Sequence, residues 1–506
     1  MLQAMKNLSD FFFLEQVPKG YPMDVLYVNL GHVSILHRPE FGLKTTGPMV
    51  LIFEDGHYDI FLKKTEWFKT GEAVLNYIIE SNERVSAWEK KTNVWLEERE
   101  KVNKIYKNKD FSKCSDKELA EELDKILELE LREGFDNAEI MSDNYGTNLI
   151  SQSLESVLKN LGFAPHAIAP ILLRSTRIFP IIEYEKEVSS FTEWLLKERK
   201  VEKLTLTIID EDKELSSRIQ EILSKYDWLD ASLASDPKSA ESVVNNVNEL
   251  LQFRDVLSQV LEEKKNFERL KKEERDRVVK EVLQKASAGQ KRVINFAIES
   301  SELGRMLVDV IMQFLYYRRK IYKEIGKRLG VSEIEAKYLL PEEIKKCLLK
   351  NGTPDLNLIK GRQKLFVCVL ENDCFDTYIG KAAEDWKNNL FALVKNDESP
   401  LKGEIAFSKG KVKGIARLVK DVHEMGKVKE GDVLVSSRTY PDLLPAMKRS
   451  VAIIAELGGL LSHAAIVSRE LHIPCLVGVK NATSKIKDGD LLEIDTETGD
   501  IKIIEK

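Results

Sequence analysis

The period of the apolar positions changes twice along this chain. In the first 63 residues they fall in short runs, at 25–30, 49–53 and 58–62, the last two separated by the turn-forming string Glu54-Asp55-Gly56-His57. Short runs bounded by turn residues predict strands, so residues 1–63 are expected to form a small β-rich cap. From 65 to 107 the spacing becomes helical, with Trp67, Val74, Ile78, Val85, Trp88 and Trp95 recurring between Glu and Lys residues. Further helices are predicted at 116–133, 147–160, 188–199, 213–226, 240–283, 293–329, 332–350 and 374–394. Ser115 and Glu118 form an S-x-x-E pattern, in which each side chain caps the other's backbone N–H at a helix start. The string KLTLTII at 203–209 alternates and reads as β-like.

The second change comes near residue 399. Beyond it, short apolar runs at 414–419, 432–437, 451–456, 474–479, 491–495 and 501–504 are separated by glycine turns, which predicts strands. One helix is predicted among them, at 464–471, after Gly458-Gly459 and before Pro474. Composition sharpens this boundary: 16 of the 26 glycines lie in the first 398 residues and 10 in the last 108, while all six tryptophans precede it. The polar string KNDESPLKG around Pro400 marks a hinge linker at 396–402. The fold class is therefore α+β and multidomain: the β-rich cap at 1–63, a mostly helical body at 64–395, and a glycine-turned domain at 403–506.

Charge and cysteine usage exclude several classes. Charged residues are 32% of the chain, yet 77 basic against 83 acidic residues leave a net charge of only −6, so no global field recruits nucleic acid. No apolar run approaches the ~20 residues of a membrane span, and the densest, at 163–173, is interrupted by Pro165, His166 and Pro170. The first residues lack a basic start followed by an apolar core, which leaves a cytoplasmic location as the expectation. Cys114, Cys347, Cys368, Cys374 and Cys475 form no C-x-x-C pair and read as reduced thiols rather than a metal site.

The chemistry concentrates in GGLLSHAAIVSRELHIP, where Ser462 is a candidate N-cap and His463 stands at a helix start beside a double-glycine turn. Helix-start N–H groups and the helix dipole favour a phosphate there, and imidazole is a competent nucleophile near neutral pH. The bland alternative is a histidine that merely ends a turn against the core. The longer pattern, Pro441-Asp442 with Pro445-Ala446-Met447, an apolar strand, GG-x-x-SHAAIVSRELHIPCLVGV and then KDGDLLEIDTETG, resembles the phosphohistidine swivelling domain of the phosphoenolpyruvate-utilising enzymes. That family includes phosphoenolpyruvate synthase, pyruvate phosphate dikinase and rifamycin phosphotransferase.

The resemblance covers 403–506 and implies a swivelling β/β/α domain whose phosphorylated residue is His463. It also implies that Gly458, Gly459 and Ser462 match the family residues before the histidine, and Thr439 a family threonine near the loop that approaches it. Arg438, just before Thr439, could approach a phosphate or simply face solvent. Leu461 and Ala455 depart from the family's threonines, and His472 reads as a turn residue. Segments 318–330, 335–344 and 359–366 are similar to the helical region that precedes this domain in family members, which makes the body a candidate site for a small-molecule acceptor.

No G-x-x-x-x-G-K-[ST] loop occurs, and neither an ATP-grasp domain nor a phosphoenolpyruvate-binding barrel is recognisable. The resemblance therefore implies a separate ATP-grasp or phosphoenolpyruvate-binding partner, with ATP and Mg2+ held there and no cofactor in this chain. Three readings follow: an enzyme subunit that phosphorylates a small molecule, a phosphocarrier that passes the group to another protein, or a binding protein with a relict histidine.

Overall fold

The computed structural model describes residues 11–17, 48–54, 57–136, 149–174, 180–229, 238–252, 257–371, 374–395, 400–419, 422–437, 439, 443–459 and 462–505. The predicted strand at 25–30 and most of the hinge at 396–402 lie outside them.

The first sheet joins distant parts of the chain. Strands β1 (Phe11–Val17), β2 (Met49–Glu54) and β3 (His57–Lys63) combine with β4 (Phe366–Glu371) and β5 (Cys374–Ile379) in the order β1-β3-β2-β4-β5. Every pairing is antiparallel. The cap expected at 1–63 thus shares its sheet with strands that follow the helices. The helix expected from 374 begins only at Gly380, because 374–379 pairs with β4, which puts Phe375 opposite Leu370 and Tyr378 opposite Val367.

The body helices are α1 (Lys64–Ile79), α2 (Asn82–Asn108), α3 (Asp116–Asp136), α4 (Leu149–Asn160), α5 (Pro165–Leu172), α6 (Pro180–Trp194), α7 (Leu206–Glu211) and α8 (Lys213–Tyr226). They continue as α9 (Ala240–Leu251), α10 (Leu257–Lys285), α11 (Ala288–Leu329), α12 (Glu333–Ala336), α13 (Pro341–Leu349), α14 (Leu356–Lys364) and α15 (Gly380–Lys395). Ser115 and Glu118 cap the start of α3 reciprocally, Ser115 N to Glu118 Oε2 at 2.7 Å and Glu118 N to Ser115 Oγ at 3.3 Å. The alternating string at 203–209 forms no strand and becomes helical from Leu206. Thr205 accepts the Ile208 N–H at 3.3 Å as an N-cap, and Leu204 and Ile209 are buried while Leu206 and Ile208 are exposed.

Helix α11 is the spine. At 1.5 Å per residue its 42 residues span about 63 Å. Its first half buries Phe296, Leu303 and Leu307 against α2, α4 and α5, with Trp88 edge-on to Phe296 at 4.7 Å. Its second half buries Phe314, Ile321 and Ile325 against α3 and α13. The strands β2, β3 and β4 are covered on both faces: Val50, Ile52, Phe61 and Val367 pack with Trp386 of α15, and Leu51, Phe53, Ile60 and Phe366 with Trp67 of α1. Double coverage explains why these strands read as continuous apolar runs. Under β4, Arg362 of α14 grips Glu343 of α13 through two bonds of 2.6 and 2.8 Å and donates to the Tyr338 carbonyl.

The C-terminal part holds a second sheet, built from β6 (Glu404–Phe407), β7 (Lys411–Leu418), β8 (Val433–Ser436), β9 (Ala452–Ala455), β10 (Cys475–Val477), β11 (Leu491–Asp495) and β12 (Asp500–Glu505). Their order is β12-β11-β7-β8-β9-β10-β6. Strands β7 to β10 run parallel and the flanking strands antiparallel. The sequence had shown no strand at 404–407. Among the described residues this part also holds three short α-helices, α16 (Leu444–Arg449), α17 (His463–Leu471) and α18 (Ala482–Lys485), and a tighter helical turn at Val422–Lys427. One face of the central strands packs on α16 and α17 through Leu434, Ile453, Ala446 and Ala465. The other packs on β11, β12 and α18 through Val435, Ile454, Leu492, Ile501 and Ala482. Among the described residues no helix is long and apolar enough to cross a membrane.

Candidate functional site

Parallel strands carry their connecting loops at fixed ends, and loops at the carboxyl ends of such strands are the usual place for a ligand. Here β8 ends at Ser436 and β9 at Ala455, side by side. Pairing continues past both ends, Glu456 N to Ser436 O at 3.0 Å and Leu457 N to Ser437 O at 2.9 Å, so the turn that follows starts from an anchored backbone.

That turn is the glycine pair. Gly458 has φ +93°, a region that favours glycine, and a Cβ there would lie 2.5 Å from Ser462 Cβ. The Gly459 carbonyl accepts the Ser462 N–H at 3.0 Å, which closes the turn. Ser462 Oγ accepts the Ala465 N–H at 3.4 Å, so Ser462 is the N-cap and His463 the first residue of α17. Ala464 and Ala465 are buried, and the Cys475 sulfur reaches the Ala464 carbonyl at 3.9 Å. Small residues after the histidine let the helix lie directly on the sheet. A helix start leaves its first N–H groups without intrahelical acceptors, and those groups surround the backbone of His463.

The structure thus brings Gly458, Gly459, Ser462 and the His463 backbone into one turn. Thr439 follows β8 in the adjacent loop and is 3% exposed. Arg438, Leu461 and the side chain of His463 lie outside the described residues. Ala455 is fully buried in the core between β9 and the helices. His472 stands just past the other end of α17, about 13 Å from His463 along the helix at 1.5 Å per residue. Its φ of +56° and the Ile473 N to Ser468 O bond of 2.9 Å make it the residue that ends the helix, with its ring edge-on to Phe407.

Sequence reasoning passed over Glu456. It is 5% exposed and stands two residues before Gly458, and its Oε2 accepts the Thr483 backbone N–H at 2.7 Å and the Thr483 hydroxyl. Burial pushes its carboxyl above the usual range, against the lowering effect of the Thr483 bonds. An acidic residue closing a fully apolar strand was the available signal.

Residues 428–499 match the family described as PEP-utilising enzyme, mobile domain. A probable phosphoenolpyruvate synthase of Pyrococcus abyssi is 52% identical over 106 residues, 21% of this chain and 13% of that protein. One of Methanothermobacter thermautotrophicus is 42% identical over 123 residues, 24% of this chain and 17% of the relative. An uncharacterized phosphotransferase of Bacillus subtilis, YvkC, is 36% identical over 126 residues, 25% of this chain and 15% of that one. The match takes up less than a fifth of the length of each of these relatives. A parallel sheet, a glycine turn and a histidine opening the next helix go together with the sequence match, and residues 428–499 of this chain are a mobile domain of the PEP-utilising enzyme type.

Proposed function

We propose that the chain is a phosphotransferase component in which His463 carries the phosphoryl group. The observation that supports this most is the position of His463 as the first residue of α17, after a turn held by Gly458 and capped by Ser462. In the first step an imidazole nitrogen attacks the phosphorus of a donor, an N–P bond forms, and the donor's bridging oxygen leaves with the bonding pair. In the second, an acceptor hydroxyl attacks the same phosphorus, the N–P bond returns its pair to the imidazole, and the hydroxyl proton passes to a base or to water. The helix-start N–H groups stabilise the phosphoryl oxygens in both steps. Splitting the transfer in this way lets donor and acceptor be bound at different places.

The same reading assigns the donor to a separate ATP-grasp or phosphoenolpyruvate-binding protein, with ATP and Mg2+ held there. The acceptor is a small molecule bound by the helical body, reached by movement of the β/β/α domain about the linker at 396–402. Two of the described relatives are named probable phosphoenolpyruvate synthases, which supports a phosphoryl-transfer role for the domain they share with this chain.

The test is mass spectrometry at neutral to alkaline pH, which preserves phosphohistidine. The chain is incubated with phosphoramidate, with ATP and Mg2+, and with phosphoenolpyruvate, each with and without extract. Acid-labile phosphate on His463, lost in His463→Ala, is the expected result. Label confined to His472 or His423 would overturn the assignment. Label that moves to another protein, rather than to a small molecule, would replace the acceptor half of the proposal.

A further inference from the structure

Glu456 is a buried titratable group that the transfer steps above do not use. Placing a carboxylate at 5% exposure is costly, and a Leu or Gln would fill the space without that cost. Its bonds show what it holds. Thr483 is the second residue of α18, whose N-cap Asn481 has φ +57° and makes no side-chain cap. Glu456 supplies that cap from 27 residues away through the Thr483 backbone N–H and hydroxyl.

The segment it holds lies against the glycine turn. The Val479 N–H donates to the Ala455 carbonyl at 3.2 Å, and the Ala482 N–H to Val479 O at 3.1 Å. Gly478 has φ +67°, and a Cβ there would lie 3.4 Å from the Gly458 carbonyl. Gly478 thus abuts Gly458 at the head of the segment 478–483, which Glu456 fastens through Thr483 to the end of β9.

We infer that Glu456 is a positioning residue for the transfer at His463: by fastening residues 478–483 beside Gly458 it fixes the glycine turn and so the start of α17. The inference rests on the reading of His463 as the phosphocarrier, and its test keeps the two apart. Hydrogen exchange on the full chain reports the turn, and phosphoramidate labelling reports the histidine, with the exposed His472 as an internal reference. In Glu456→Ala, exchange at 457–463 and 478–483 rises at least tenfold while β7 and β11 stay protected. The His463-to-His472 labelling ratio falls at least tenfold. Glu456→Gln, which keeps an acceptor oxygen in the same shape, stays within about threefold of the parent on both readouts.

Thr483→Val keeps the volume and the backbone donor and loses only the hydroxyl, so it gives a smaller change of the same sign if Glu456→Ala does not fold. Unchanged exchange in Glu456→Ala, a rise spread evenly over the whole domain, or a looser turn with an unchanged labelling ratio would each overturn the inference. A parent chain that is labelled at His472 and never at His463 would overturn the phosphocarrier reading, while the exchange data would still decide whether Glu456 holds the turn.

Discussion

Gly458→Ala separates two costs at the turn before His463. The first is backbone strain: an L-residue in the left-handed region costs roughly 1–2 kcal/mol. Gly489 measures that term alone, since its φ of +94° matches the +93° of Gly458 and a Cβ there would meet nothing within 4 Å. The second is steric. The Cβ added at position 458 would sit 2.5 Å from Ser462 Cβ, well inside the ~3.5–4.0 Å of a carbon contact, and overpacking of this kind costs roughly a further 1–3 kcal/mol. At about 4–8 °C per kcal/mol for a domain of roughly 100 residues, Gly489→Ala should lower the melting temperature of the C-terminal domain by about 4–16 °C, and Gly458→Ala by clearly more. Adding Ser462→Gly removes the clashing Cβ and leaves Ser462 Cα, 3.9 Å away, as ordinary contact. Gly at an N-cap loses only a few tenths of a kcal/mol against Ser. The double variant should therefore melt near Gly489→Ala and regain most of the His463 labelling lost in Gly458→Ala. Differential scanning calorimetry of the full chain reads the melting, and phosphoramidate labelling the histidine. Equal melting of the two single glycine variants, or strict additivity in the double, would refute the steric argument.

The raised pKa of Glu456 predicts a pH dependence with a definite sign. Between the ordinary carboxylate range and the raised value the native state keeps a proton that the unfolded chain has released, so stability falls as pH rises through that window, and Glu456→Gln flattens the slope in chemical denaturation. In the body, Arg362→Ala leaves Glu343 without its two-bond partner and should cost about 3 kcal/mol by urea melts, since Arg362 is 4% exposed; a loss under about 1 kcal/mol would show that the pair is solvated. Limited proteolysis should cut first around 395–403 and release a folded C-terminal fragment, and early cuts within β7 to β10 would count against a hinge there.

What was legible in the sequence depended on neighbours along the chain. Ser115 and Glu118 cap a helix start three residues apart, and the string from Gly458 to Leu471 specifies its own turn, N-cap and helix, because each of these interactions closes within a few residues. The apolar runs that became β8, β9 and β10 were legible for a related reason: strands buried on both faces have no polar side to confuse the pattern.

The tertiary structure decided what depends on partners far away. Residues 374–379 are a strand because β4 lies beside them, and β4 in turn pairs with β2 from the other end of the helical body, so neither fact is written locally. The alternation at 203–209 was outweighed by the Thr205 cap and by the burial of Leu204 and Ile209 among α6, α8 and α9. Glu456 looked like one acidic residue among many, and only the fold sets Thr483 against it, 27 residues on, beside the turn that leads to His463. Local hydrogen bonds and periodicity can be read along a chain, whereas a buried charge takes its meaning from the donor that the fold brings to it.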